Sequence, residues 1–419
     1  MRKIAQIVLF FAILFVFSAC GGSSKSIEII ETKDKIEVGE TFRIKYTVNP
    51  SDEKISFESS DTSIASVDVL GKVKGNKPGT VIITVSLVSD SSVNVTFTLK
   101  VGSSFSDVDF SEIPLDEDLW PVKELEKGSD EETIYMLLRE QIANVARRDG
   151  TKTEFNLKNV PIKDSSNLEQ KIIKVLGLIW LSCPYDLYWY QEQDGYYLYY
   201  TNKGNIADIT VKLPVSSDYR KSEYEIDNEC KVIALNALKN AIKIANEASG
   251  SDYDKIMYFK NKICELVTYD TKSNNDQMAG KIKAGSNPWQ MVSVFDNNSQ
   301  TNVVCAGYSK AFKYLCDRVG IECKVVNGIA FGAPHVWNVV TLEGKNYIVD
   351  VTNCDSGTKG YPDKLILVGA SGSIEDGYTP IGTNLNFRYY TSKDRGVTDM
   401  VNVFGEAGLV ISETSYSKK

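Results

Sequence analysis

Only one histidine, His335, occurs in the 419 residues of this chain. Acid–base chemistry by an imidazole therefore has a single candidate, and a His-rich metal site is excluded. There is no Cys-x-x-Cys pair, which removes a common zinc and dithiol spacing. No basic stretch stands out, and the net charge of -8 argues against a nucleic-acid partner. Beyond the first twenty residues no run is apolar enough to span a bilayer. Neither a metal nor another cofactor is expected. What remains is globular in composition, at 42% hydrophobic and 24% charged. That suffices for ordinary cores, and the length predicts two or three domains.

The N-terminus carries the one long apolar run. Arg2 and Lys3 precede Ile4 to Phe17, and Ser18-Ala19-Cys20-Gly21 comes next. A positive flank, a short apolar core and small residues at the cut mark an export signal. With Cys20 at the cut, residues 1–20 resemble a bacterial lipoprotein signal, although Phe17 stands where such sites carry an aliphatic residue. The resemblance implies lipidation of Cys20 and attachment to the membrane from outside the cytoplasm. A plain signal peptide or an uncleaved anchor are the alternatives. Seven further cysteines remain, at 183, 230, 264, 305, 316, 323 and 354. Export permits disulfides, and an odd number leaves at least one thiol unpaired within the chain.

Residues 27–101 alternate as strands do. Phe42, Ile44, Tyr46 and Val48 form one series; Val81, Ile83 and Val85 form another; Val93, Val95 and Phe97 form a third. Such alternation predicts sheets with one buried face. Ser59 to Val67, Gly71 to Gly75 and Pro78 to Val85 resemble the bacterial immunoglobulin-like group 2 family. That resemblance implies a small all-β sandwich, used as a surface spacer or as an adhesive module.

Residues 102–118 read as a linker, and 119–250 as a helical and aromatic-hairpin extension of the segment 251–419. Thr133 to Arg147, Leu168 to Leu181 and Val232 to Ala248 have helical apolar spacing. Between them lies an aromatic stretch. Tyr185, Tyr188, Trp189 and Tyr190 precede Asp194-Gly195, and Tyr196, Tyr197, Tyr199 and Tyr200 lie beyond it. The Asp-Gly step predicts a hairpin turn there. The tyrosines then either pair across the strands or form a platform for sugar or peptide.

The last segment, 251–419, carries the chemistry. Tyr253 to Val267 is expected to be helical. Val304, Tyr308, Ala311, Phe312, Leu315 and Val319 mark a helix that Cys305 opens and Gly320 ends. A cysteine in a first helical turn feels the positive end of the dipole, which favours thiolate. Val336 to Leu342 and Lys345 to Val351 read as strands joined by Glu343-Gly344. A two-residue turn pairs Leu342 with Lys345 and Val339 with Ile348. Continued outward, it pairs Trp337 with Asp350 and His335 with Thr352. His335 and Asp350 then share a face as diagonal neighbours. Cysteine, histidine and aspartate are a nucleophile, its base and the group that orients the base.

Four segments now resemble the bacterial transglutaminase-like superfamily: Cys305 to Phe312, Gly320 to Cys323, His335 to Asn338 and Val349 to Thr352. Thr268-Tyr269-Asp270 also fits. The resemblance implies an α+β papain-like domain in which Cys305, His335 and Asp350 are the catalytic residues. Asn353-Cys354-Asp355 departs from the family's aromatic and acidic residues at that place. For the whole chain the implied reading is a surface-anchored, cysteine-dependent amide hydrolase or acyltransferase. It would act through a thioester on protein or cell-wall peptide, with hydrolysis favoured over cross-linking. Backbone N–H groups at the helix start, including that of Cys305, are the expected oxyanion donors, with an indole N–H of Trp289 or Trp337 as an assisting alternative. The rival is a non-catalytic surface binding or scaffold module.

Overall fold

The computed structural model describes residues 25–102, 105–298, 301–330, 333–356, 364–369, 388–390, 397–399 and 411–418. The expected leader and Cys20 lie outside the described residues. Among the described residues no helix is long and apolar enough to cross a membrane.

The N-terminal segment is all-β. One sheet orders Lys35–Ile36, Asn94–Val101, Gly79–Leu87 and Ile55–Ser59; a second orders Thr41–Arg43, Lys72–Gly75 and Ala65–Val67. Ser26–Glu31 pairs separately with Lys45–Asn49. The expected alternation is clearest in Gly79–Leu87, where Val81, Ile83, Val85 and Leu87 all point inward. They meet Ile27, Ile36, Ile44, Ala65, Val73, Leu99 and Val101 in a core of their own. Tyr46 does not join them: it stays exposed and edge-on to Phe57.

The remainder is α+β. Helices span Asp130–Arg147, Leu168–Ser182, Asn228–Glu247, Asp252–Leu266 and Cys305–Arg318. Their starts obey local chemistry. The Ser129 hydroxyl accepts from the Glu132 N–H, and Asp227 accepts from the Glu229 N–H. Ser251 and Asp254 form a reciprocal capping box. Two antiparallel three-stranded sheets pack among these helices, with two small two-stranded ones besides. One places Ile206–Lys212 between Glu154–Pro161 and Tyr197–Asn202; the other places Ala333–Leu342 between Cys323–Ala330 and Lys345–Val349.

The main hydrophobic core of this region runs from Ile113 and Leu138 through Leu235 and Phe259 to Phe312 and Tyr347, and a smaller cluster of Val326, Trp337, Val339, Ile348 and Cys354 lies beside it. Among the described residues, the 119–250 extension and the helices and sheet from 252 to 349 share the main core. The expected linker, 102–118, is also part of it from residue 105 onward. It folds into short 3-10 turns and buries Ile113 and Asp116. Its composition suggested a free tether, but Asp116 supplies the carboxylate for two arginines of the core. Arg147 and Arg318 both hydrogen-bond to it.

The aromatic stretch differs from the expected hairpin. Pro184–Leu187 is a 3-10 turn, and Tyr185, Tyr188, Trp189 and Tyr190 are fully buried. Pro184 sits at the turn's first position, where its missing N–H costs nothing. The Tyr188 hydroxyl donates to the Ala146 carbonyl at 2.8 Å. Asp194-Gly195 closes another short turn. The actual hairpin comes later, pairing Asn202 with Ala207 around Gly204. Tyr197, Tyr199 and Tyr200 lie exposed on its outer strand. The buried members thus hold the core, while Tyr197, Tyr199 and Tyr200 remain at the surface.

Asp186, in the same turn, is completely buried between two guanidinium groups. Arg139 Nη2 reaches Oδ2 at 2.6 Å and Arg147 Nε reaches Oδ1 at 2.7 Å. Removing the carboxylate leaves two buried cations short of charge. Asp186→Asn is therefore expected to lower unfolding stability by about 3–5 kcal/mol. Urea denaturation measures this, and an unchanged midpoint would contradict it.

Candidate active site

Cys305 is the first residue of its helix, with Val304 as N-cap in extended conformation. Donors in a first turn have no intrahelical acceptor, so the Cys305 N–H is available to a ligand by position. The helix start is locked to the preceding turn, Asn287–Trp289: the Val304 N–H donates to the Pro288 carbonyl at 2.9 Å. Gly307 makes this approach possible. A Cβ there would lie 2.6 Å from the Val303 Cβ and 3.0 Å from the Pro288 oxygen. Cys305 itself is half-buried, whereas Cys316 in the same helix is wholly enclosed.

The helix lies against the sheet that bears His335. The Ser309 hydroxyl donates to the Val336 carbonyl at 3.0 Å, and Asn338 Nδ2 donates to the Ser309 carbonyl at 3.0 Å. These two bonds fix the position of the strand Ala333–Leu342 relative to the nucleophile's helix. Deep in the helix, Lys310 reaches Gln290 at 3.0 Å and Glu192 at 3.1 Å.

His335 is held in its strand by pairing with Cys323–Ala330, where it faces Gly328, while the turn sets the register on the strand's other edge. Glu343 (φ 51°) and Gly344 (φ 74°) both take positive φ, as a tight two-residue turn demands. Leu342 pairs with Lys345 and Val339 with Ile348, as expected from the turn. The ladder stops at Asn338 and Val349, so the outer pairs of Trp337 with Asp350 and His335 with Thr352 do not form. Asp350 instead caps a short helix, Val351–Cys354, accepting from the Asn353 N–H. A short acidic side chain competes for backbone donors in this way, and here it ends the strand.

The two side chains meet regardless. His335 Nε2 lies 2.9 Å from Asp350 Oδ2. The Cys305 thiol is a second hydrogen-bond partner of the same imidazole. With Nε2 engaged by the carboxylate, Nδ1 is the nitrogen left to exchange a proton with sulfur. The residues singled out in the sequence are therefore neighbours in space. Trp337 stacks on His335, with ring centroids 6.0 Å apart and planes 20° from parallel. It walls the imidazole on one side. Trp289 lies in the turn whose carbonyl holds Val304.

The electrostatics are set by burial and partners. Burial disfavours the imidazolium, but the Asp350 carboxylate and the Cys305 sulfur outweigh it. His335 is pushed up to about 10. Burial likewise raises the Asp350 carboxyl, but the His335 charge and the Asn353 donors hold it below the ordinary carboxylate range. The arrangement thus favours the imidazolium form of His335, charge-paired with Asp350, at neutral pH.

Asn353 emerges here as a residue that the sequence did not assign. Its Nδ2 donates to Asp350 Oδ2 at 2.7 Å and its backbone N–H to Oδ1 at 3.2 Å. The Asp-x-x-Asn spacing of a capped first turn was the available signal. Tyr269 is another. Its phenol is pushed up by burial and by the nearby charge of Cys305. It is placed by a bridge to Val303, two residues before the nucleophile. Among the described residues no group of three or more His, Cys, Asp and Glu is arranged to hold a metal ion.

Residues 24–99 match the family described as Bacterial Ig-like domain (group 2). A curated relative, the 3-O-alpha-D-galactosyl-alpha-L-arabinofuranosidase of Bifidobacterium longum subsp. longum, is 44% identical over 63 residues. These are 14% of this chain and 6% of that relative, so the chain spans only a small part of its length. Among solved structures, an intimin–Tir90 complex matches 19% of this chain and 48% of its own at 26% identity, with a TM-score of 0.17. A TGase matches 38% of this chain and 45% of its own at 18% identity, with a TM-score of 0.26. A cysteine-protease candidate from Cytophaga hutchinsonii matches 36% of this chain and 55% of its own at 16% identity, with a TM-score of 0.21. The architecture is an immunoglobulin-like sandwich followed by an α+β region in which a cysteine-led helix packs on an antiparallel sheet.

Proposed function

We propose that the protein is a transglutaminase-like cysteine enzyme that breaks amide bonds through a thioester. The observation that carries this reading is the contact chain from the Cys305 thiol through the His335 imidazole to Asp350 Oδ2 at 2.9 Å. The thiolate attacks the substrate carbonyl. The oxyanion that forms accepts a hydrogen bond from the Cys305 backbone N–H at the helix start. His335, as imidazolium, gives its proton to the departing amine. Asp350 keeps the ring oriented and stabilises its charge, and Asn353 in turn orients Asp350. Water, deprotonated by the now neutral His335, then attacks the thioester and releases the acid and the thiolate. An amine in place of water would give cross-linking.

Cys305 is half-buried, so attacking water can reach the thioester, which favours hydrolysis. The substrates proposed are proteins or cell-wall peptides outside the cytoplasm. Incubating the ectodomain with peptides, peptidoglycan stem peptides and glutamine donors, with and without a primary amine, tests the reaction by mass spectrometry. Gain of water at a cleaved amide supports hydrolysis, and amine incorporation supports transfer. No Cys305-dependent product from any of these would overturn the reading.

The N-terminal residues support a lipid anchor at Cys20, with the immunoglobulin-like domain as spacer. Mass spectrometry of the mature protein is expected to find an acylated Cys20 as first residue. An intact Met1, or cleavage elsewhere, would contradict the anchor while leaving the catalytic proposal standing.

A further inference from the structure

Cys316 and Cys323 are brought together by the way the nucleophile's helix ends. Gly320 adopts φ +77°, the left-handed conformation that closes many helices. The Ile321 N–H donates to the Cys316 carbonyl at 3.0 Å, and the Gly320 N–H to the Asp317 carbonyl at 3.1 Å. This double bond pattern reverses the chain over the last helical turn. The strand Cys323–Ala330 then starts two residues beyond Ile321. Alternation along the extended chain puts Ile321 and Cys323 on the same side, back towards the helix. Both are buried, as is Cys316.

The two thiols are within hydrogen-bonding reach of each other. Lys313, one turn earlier on the helix, also bonds the Cys323 carbonyl at 2.9 Å, which fixes the strand's start against the helix. Neither sulfur belongs to the site built on Cys305. Cys323 also borders a cavity of about 330 Å³ shared with Lys313, Asp317 and Glu322.

We infer that Cys316 and Cys323 are a disulfide-forming pair that clamps the end of the nucleophile's helix to the sheet carrying His335. The inference gains its biological setting from the proposed export, since disulfides persist outside the cytoplasm. The chemistry is thiol–disulfide exchange. One thiolate of the pair attacks a donor disulfide, giving a mixed disulfide and releasing one donor thiol. The second thiolate attacks the mixed disulfide, forming the Cys316–Cys323 bond and releasing the other donor thiol. The pair loses two electrons and two protons, and the donor disulfide is reduced to two thiols. The oxidant is a disulfide of a peptide or protein. Burial pushes the Cys316 thiol well up, with Cys323 beside it adding to the shift. The exchange is therefore expected during folding, before the pair is enclosed.

The test uses the full chain without its leader, made in a reducing cytoplasm and refolded with reduced and oxidised glutathione. Free thiols are alkylated under denaturing conditions and peptides are mapped without reduction. A linked Cys316–Cys323 peptide is expected, with Cys305 recovered alkylated or carrying glutathione. Recovery of both Cys316 and Cys323 alkylated, or linkage of either to another cysteine, would overturn the inference. Reduction of the linked protein is expected to lower its Tm by about 4–8 °C. The Cys316→Ala/Cys323→Ala protein, as control, should show no further change on reduction. An equal drop in that control would assign the effect elsewhere and remove the clamp. Because this arm does not depend on secretion or on turnover, failure of the localisation or catalytic reading leaves its result interpretable.

Discussion

Cys305→Ala and His335→Ala are each expected to lower kcat/KM on an amide substrate by at least about four orders of magnitude. Alanine is the best helix former, so the first substitution keeps its helix. It removes only the sulfur, and with it the thioester. His335→Ala removes the sole imidazole, and no other histidine exists to act in its place. The two effects should not add, because thiolate and imidazolium act as one unit. The double variant is therefore expected to match the singles. Circular dichroism and thermal melting serve to check that all three remain folded. Retention of more than a few per cent of wild-type kcat/KM by Cys305→Ala would sink the thiol mechanism. The non-catalytic surface-module reading would then take its place.

Asp350→Asn is expected to cost about 10²- to 10⁴-fold in kcat/KM, and the loss should depend on pH. In the wild type, His335 titrates at about 10, so imidazolium persists across neutral pH. Activity is expected to fall on the alkaline side as the imidazolium loses the proton that the leaving amine needs. Asparagine keeps the shape but not the charge. The alkaline limb should then move down by about one to two units, towards the ordinary imidazole range. The loss is thus larger at pH 9 than at pH 7. The sign for stability is the same. A raised folded-state value means that the charged ring stabilises the fold below about pH 6.5, and that this contribution fades as pH rises towards 10. A pH profile of kcat/KM for both proteins checks this. An unmoved alkaline limb in the variant would show that Asp350 does not hold the charge. Asn353→Ala should shift the limb in the same direction by less, since it acts on the ring chiefly through Asp350.

Much of the site was legible because local rules govern it. The helix beginning at Cys305 follows from an apolar stripe at 3.6-residue spacing, and the register from Leu342 to Asn338 follows from a two-residue turn. Each depends on residues within about ten positions. The immunoglobulin-like strands were legible for the same reason, since alternation is a local pattern.

Sequence and structure part company where distant partners decide. Asp194-Gly195 looks like a hairpin turn, yet the preceding tyrosines bury themselves against helices that the local pattern does not name. Asp116 sits in a stretch with linker composition, but two arginines from separate helices require its carboxylate. Asp350 left its expected strand because capping the next turn satisfies donors that strand pairing would not.

By itself, the sequence determined the identity of the imidazole, the cysteine at a helix start and the hairpin that presents His335. Those rest on composition, periodicity and turn length, which act over short stretches of chain. Only the tertiary structure decided that the thiol, ring and carboxylate meet, that Asn353 holds Asp350, and that Cys316 lies beside Cys323. Contacts between separate elements depend on how helix and sheet dock. Docking is set by burial of apolar surface and pairing of buried charge across the whole core, which no short window of sequence contains.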